Sequence, residues 1–222
     1  MSVEIYWGSG SPYAWRVLLA AEAKGVPYVS HLLSFQAKEH KTPEFLKMNP
    51  RGAVPVLKDG DTVVTESLAI MHHIDQKAAD PSLFGRTPAE RTRVLEWSSR
   101  VVYDMEDAVW NFARPLLAAK PADDLAQKVA EARPKLEDVL GQLEAALASR
   151  PYLAGEALSA ADLAAYPFLM FALRAAGKEA AKPLDLGLLP LAARYPRLAA
   201  WQGRIEALPG YDRTYPPHWR AM

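Results

Sequence analysis

Ser11 stands where a short apolar run, Val3 to Trp7, gives way to a helical stretch from Tyr13 to Lys24. At the start of a helix, unpaired backbone N–H groups and the positive end of the dipole favour an anion. A serine hydroxyl at that point can add a hydrogen bond to the anion or act as a plain N-cap. Glu66 and Ser67 open a second helical stretch in the same way, and His40 and Lys41 supply basic groups ahead of Asn49-Pro50. His72 and His73 are neighbours on a helix, so they point about 100° apart and form no i, i+4 metal pair. No metal site is expected. The chain has no cysteine, which excludes disulfides, thiolate ligands and a cysteine nucleophile. Any sulfur chemistry must therefore come from a ligand.

The elements that would position these groups begin with a βα opening. Gly25-Val26-Pro27 stops the first helix, and Tyr28 to Leu33 reads as a second strand, giving a βαβ unit. Val54 to Leu57 and Thr62 to Val64 flank Lys58-Asp59-Gly60-Asp61, which predicts an antiparallel hairpin. From Glu66 to Asp75 the spacing of Leu68, Met71 and Ile74 predicts a helix, so this α/β region reads βαβ followed by ββα. Asp80 to Pro88 carries two prolines and a glycine and reads as a linker. From Ala89 to Leu208 the chain reads helical, with breaks near Lys120-Pro121, Arg150-Pro151, Gly177 to Pro190 and Tyr195-Pro196. Pro134 should kink or divide one of these helices. Ser159 and Asp162 have capping-box spacing and are assigned to folding.

The 222 residues are 50% hydrophobic, enough for an ordinary core, and 26 basic residues balance 26 acidic ones. That balance gives no pull toward nucleic acid or an anionic membrane. No window reaches the roughly 20 apolar residues that span a bilayer, and Met1-Ser2-Val3-Glu4 does not resemble a leader, so a cytoplasmic location is expected.

Three segments resemble the cytosolic glutathione transferase family across nearly the whole chain. They are Ser9-Gly10-Ser11-Pro12-Tyr13-Ala14-Trp15-Arg16, then Asn49 to Leu57 with Glu66-Ser67, and Ser159-Ala160-Ala161-Asp162. The resemblance implies a thioredoxin-like glutathione-binding domain over residues 1–79, a linker at 80–88 and an all-helical domain over 89–222 that forms the electrophile pocket. It also implies a homodimer. The first-helix motif is most similar to serine-type, theta- or zeta-like bacterial members.

By that resemblance Ser11 donates a hydrogen bond to the glutathione thiolate. Lowering a thiol pKa from about 8.5 to about 6.5 takes roughly 2.7 kcal/mol. A helix terminus gives about 0.3–1 kcal/mol and a hydroxyl bond to an anion about 1.5–3 kcal/mol, so both are needed. Tyr6 is the alternative donor, since tyrosine-type members carry a phenol near the end of the first strand; Ser9 is a third. Val54-Pro55 resembles the family's cis-proline turn, which leaves the Val54 main chain to pair with the ligand. Glu66 and Ser67 would hold the γ-glutamyl end, and His40 or Lys41 the glycine carboxylate.

Tyr13, Tyr103, Met105 and Trp110 are the expected contacts for a small hydrophobic electrophile, and Tyr211, Tyr215 and Trp219 either close over that pocket or pack on helices. The implied activity is conjugation. A zeta-like isomerase or dehalogenase is an alternative, although Ser11-Pro12-Tyr13 departs from the Ser-Ser-Cys run of that class. A non-catalytic glutathione-binding protein is another.

Overall fold

The computed structural model describes residues 3–118, 120 and 122–220. The expected leaderless start at Met1-Ser2 and the Pro121 half of the break near Lys120 lie outside these residues. The chain divides into two compact units, one formed by Met1–Phe84 with Glu206–Met222 and the other by Gly85–Ile205. The tail that the sequence reading assigned to the helical region thus belongs to the first unit.

In the first unit β1 (Val3–Gly8) is followed by α1 (Pro12–Ala23) and β2 (Tyr28–Leu33). A short helix α2 (Pro43–Met48) comes next, then β3 (Val56–Asp59), β4 (Thr62–Val64) and α3 (Ser67–Asp75). The sheet runs in the order β2-β1-β3-β4. β1 pairs parallel with β2 and antiparallel with β3, and the β3–β4 hairpin closes over Gly60 and Asp61 as its turn chemistry requires. Alternation along β1 buries Val3, Ile5 and Trp7 and sends Glu4 and Tyr6 to the opposite face. α1 packs on α3, with Val17, Leu18, Ile70, Met71 and Ile74 fully buried. The Phe45 ring of α2 meets Tyr6 edge-on, 6.4 Å between centroids. The sequence pattern does not single out α2, because one turn and a half with a single buried residue carries no readable period.

Lys24 ends α1 inside this unit. Its side chain is fully buried, its ammonium lies 2.8 Å from Asp75 Oδ1, and Asp75 in turn accepts from the Leu83 N–H at 2.9 Å.

The second unit contains α4 (Pro88–Arg100), a π-helical turn at Val101–Met105, α5 (Glu106–Leu117), α6 (Leu125–Ala146) and α7 (Ala160–Ala176). α8 (Pro196–Glu206) follows. The tail carries the short helices α9 (Tyr211–Thr214) and α10 (Pro217–Arg220). Of the two outcomes expected at Pro134, division does not occur: α6 continues through it. Packing of Leu136, Val139, Leu140 and Leu143 carries the helix past that point.

The start of α7 is fixed by Asp162, which is fully buried and accepts from Ser159 N (2.9 Å), Ser159 Oγ (2.6 Å), Leu153 N (2.8 Å) and Trp201 Nε1 (2.9 Å). Burial pushes its carboxyl up from the usual range, against the pull of these donors.

Candidate functional site

β1 ends at Gly8, and the chain turns through Ser9 and Gly10 before α1 begins. The turn closes with a bond from Ser11 N–H to Gly8 C=O at 3.2 Å, and Gly10 takes φ +82°, a left-handed value open to glycine. Ser11 is extended, caps α1, and accepts from Ala14 N–H through Oγ at 3.3 Å; Pro12 follows it at the first helical position. A hydroxyl has one proton to give and two lone pairs to accept with. Capping uses a lone pair and leaves the proton for an anion at the helix start, so the capping role and the anion-binding role of Ser11 are compatible.

Tyr6 is placed differently. Its hydroxyl donates to Glu4 Oε2 at 3.0 Å, two residues back along β1. Its ring stacks on His31 with centroids 4.3 Å apart. Burial and the adjacent Glu4 carboxylate both push the phenol above its ordinary range. The same bond pulls Glu4 below the usual carboxylate range, with help from His31 and Lys58.

Asn49 organises the segment before the hairpin: its Nδ2 donates to Ala53 C=O at 2.8 Å and its Oδ1 accepts from Arg51 N–H at 3.1 Å. Gly52 takes φ +57°, and a Cβ there would lie 2.7 Å from Lys41 Nζ and 3.0 Å from His40 C=O. Lys41 Nζ donates to Arg51 C=O at 3.1 Å, and the Arg51 guanidinium pairs with the Glu66 carboxylate. The Val54–Pro55 bond is cis. Glu66 sits at φ +66°, ahead of α3, and Ser67 is buried at its first position. The structure therefore brings Lys41, Arg51, Gly52 and Glu66 into one chain of contacts. His40 packs edge-on against Phe35, 5.2 Å between centroids. Among the described residues no three His, Cys, Asp or Glu side chains gather so as to hold a metal ion, and no helix is long and apolar enough to cross a membrane.

Residues 10–77 match the glutathione S-transferase N-terminal domain and residues 126–203 its C-terminal domain. Glutathione S-transferase A of Pleuronectes platessa is 30% identical over 97% of this chain and 92% of its own. The chain belongs to the glutathione S-transferase family. A crystal structure of a glutathione S-transferase from the Antarctic clam Laternula elliptica superposes with a TM-score of 0.85 at 30% identity, covering 100% of this chain and 95% of that one. The match thus fixes the fold as a thioredoxin-like unit followed by a helical one. Elongation factor 1-gamma 2 of Oryza sativa subsp. japonica is 35% identical over 73% of this chain, but the matched part spans only 38% of the rice protein.

In this glutathione S-transferase family member the aromatic candidates are dispersed. Tyr13, on α1, lies under the Arg16 guanidinium at 5.1 Å. Tyr103, on the π-helical turn, is 77% exposed, whereas Met105 is buried in the core of the helical unit. Trp110 packs edge-on against Phe171 at 4.8 Å and lines a cavity of about 630 Å³ with Ala108, Arg114, Pro115, Leu125 and Lys128. Tyr211, Tyr215 and Trp219 gather round the Trp15 ring of α1 at 6.4, 5.5 and 5.4 Å. Two residues of the glutathione S-transferase unit escaped the sequence reading of the site. Arg51 falls inside the Asn49 to Leu57 segment with no role that residue type gives it there, and its contact with Glu66 spans a hairpin that local spacing does not reveal. His218 lies 2.6 Å from Ser9 Oγ through Nδ1, across 209 positions of sequence.

Proposed function

We propose that the protein binds glutathione as an extended peptide along the first unit and activates its thiol with Ser11 for conjugation to a small hydrophobic electrophile. The observation that carries this reading is the pair of hydroxyl geometries. Ser11 Oγ accepts from Ala14 N–H and keeps its proton for an anion at the start of α1, while the Tyr6 proton goes to Glu4. In the reaction the thiol proton passes to solvent, the sulfur lone pair forms the S–C bond, and the leaving group departs with the electrons of the broken bond. Val54 would pair with the main chain of the ligand's cysteine. Ser67 would take the γ-glutamyl carboxylate, Glu66 its ammonium in exchange for Arg51, and Lys41 or His40 the glycine carboxylate. The family also leads us to propose a homodimer and a cytoplasmic location.

The test is a titration of the bound thiol, followed by thiolate absorbance in the ultraviolet, in the parent, Ser11→Ala and Tyr6→Phe. The reading requires a bound-thiol pKa below that of free glutathione, returned toward the free value by Ser11→Ala and left in place by Tyr6→Phe. A loss with Tyr6→Phe alone transfers the role to the phenol. The likeness to elongation factor 1-gamma 2 supports one second reading, a binding protein that keeps the fold without turnover. Glutathione bound with no shift in the parent would select it.

A further inference from the structure

The tail runs back along α1 from its last turn to the turn that precedes it. Arg213 Nε donates to Glu22 Oε1 at 3.1 Å near the end of α1, and its Nη2 donates to the other oxygen of the same carboxylate. Midway, Trp15 Nε1 donates to Thr214 Oγ1 at 2.9 Å, and the rings of Tyr215 and Trp219 stand edge-on to Trp15. At the near end, His218 Nδ1 meets Ser9 Oγ at 2.6 Å. A hydroxyl both donates and accepts, so this bond forms with either tautomer of the ring. The same ring covers Gly10 so closely that an added Cβ would lie 2.6 Å from His218 Cε1.

Both residues between β1 and the Ser11 cap, Ser9 and Gly10, are thus covered by a side chain from the tail, in a turn that the Ser11 N–H to Gly8 C=O bond closes at 3.2 Å. The direction of the Ser11 hydroxyl follows from that turn. We propose that His218, acting through Ser9, is a positioning residue that fixes the Ser9-Gly10-Ser11 turn for thiol activation, a role that rests on the reading of Ser11 above. Anchoring alone does not account for this contact. Thr214, Arg213 and the aromatic rings already fasten the tail to α1, whereas the bond to Ser9 falls on the turn rather than on the helix.

The experiment compares the full chain with Ser9→Ala, His218→Ala, His218→Asn, the double Ser9→Ala/His218→Ala variant and, as reference, Ser11→Ala. The bound-thiol pKa is measured, and steady-state kinetics are followed with chlorodinitrobenzene at a pH below the parent's bound-thiol pKa. Each single alanine variant should raise the bound-thiol pKa part of the way toward the Ser11→Ala value. Each should also lower kcat about five-fold, the scale of one lost hydrogen bond, with KM for glutathione within about two-fold. The double variant should be no worse than either single one, and His218→Asn, whose amide oxygen can accept from Ser9, should restore most of the loss.

Ser9→Ala leaves every other anchor of the tail in place, so it separates positioning from folding. Both single variants titrating like the parent while Ser11→Ala abolishes the shift would overturn the role of His218 and leave Ser11 standing. A parallel fall in glutathione affinity and thermal stability in Ser9→Ala, with the thiol pKa unmoved, would mark a structural contact and overturn it as well. A Ser11→Ala variant that titrates like the parent would instead remove the reading on which the proposal rests.

Discussion

Asp162→Ala should be among the most destabilising single changes in the helical unit. The carboxylate is fully buried and satisfies two backbone N–H groups, one hydroxyl and one indole N–H, all at 2.6–2.9 Å. Removing it strands these donors, at about 1–3 kcal/mol for each buried group left unpaired. Part of that loss is returned, because a desolvated carboxylate disappears with them. The balance resembles the breaking of a buried pair, about 3–5 kcal/mol, against a total stability of about 5–15 kcal/mol for a typical domain.

Asp162→Asn keeps one oxygen for Leu153 and Trp201 but turns an amide N–H₂ toward Ser159, so it should lose about 2 kcal/mol. Ser159→Ala removes the cap hydroxyl alone and should cost about 1 kcal/mol. Urea unfolding followed by tryptophan fluorescence and far-ultraviolet circular dichroism gives all three values in one assay. The predicted order is parent, Ser159→Ala, Asp162→Asn, Asp162→Ala. An alanine variant within about 1 kcal/mol of the parent would refute the reasoning, since no relaxation of the surroundings could then be leaving four donors unpaired.

Lys24→Met should cost about 3–5 kcal/mol by leaving Asp75 buried without its cation, and adding Asp75→Leu should recover most of it; thermal unfolding of the single and double variants reads both. Glu137, bonded to Arg194 and Arg133, is held down to about 2 from 4.5, with the Arg194 bond the largest cause. Its contribution is therefore complete above about pH 4.5 and is lost as the pH falls toward about 2. Unfolding of Glu137→Gln across that range should show a stability gap of about 1 kcal/mol to the parent at neutral pH that closes in acid. Gly52→Ala forces a side chain into a left-handed position against Lys41. It should lower stability by about 1–2 kcal/mol in the same thermal assay and weaken glutathione binding measured by calorimetry.

What the sequence carried best were features whose cause is local. The Asp59-Gly60 turn announced the hairpin, Ser11 and Pro12 announced the start of α1, and Ser159 with Asp162 announced that of α7. That Pro134 leaves α6 undivided was not legible, because proline's effect on a helix is local while the packing of Leu136, Val139 and Leu140 that carries α6 past it is not. The π-helical turn at Val101–Met105 had no signal, since one extra residue in a helix leaves both periodicities nearly intact. Within the candidate site, residue types and order were legible, but the engagement of Tyr6 by Glu4, the bridge from Arg51 to Glu66 and the reach of His218 to Ser9 depend on strand register and chain return.

The discontinuity of the first unit also has a consequence for biosynthesis. Trp15 finds its hydrogen-bond partner 199 positions later, at Thr214, and Ser9 finds His218 later still. While the chain emerges from the ribosome, the α/β segment can form its sheet and bury Ile5, Val56 and Ile70. The Trp15 indole has no Thr214 hydroxyl to bond until the segment around Tyr211–Thr214 has been made. A nascent chain halted within the helical unit therefore carries the Ser9-Gly10-Ser11 turn without its contact to His218.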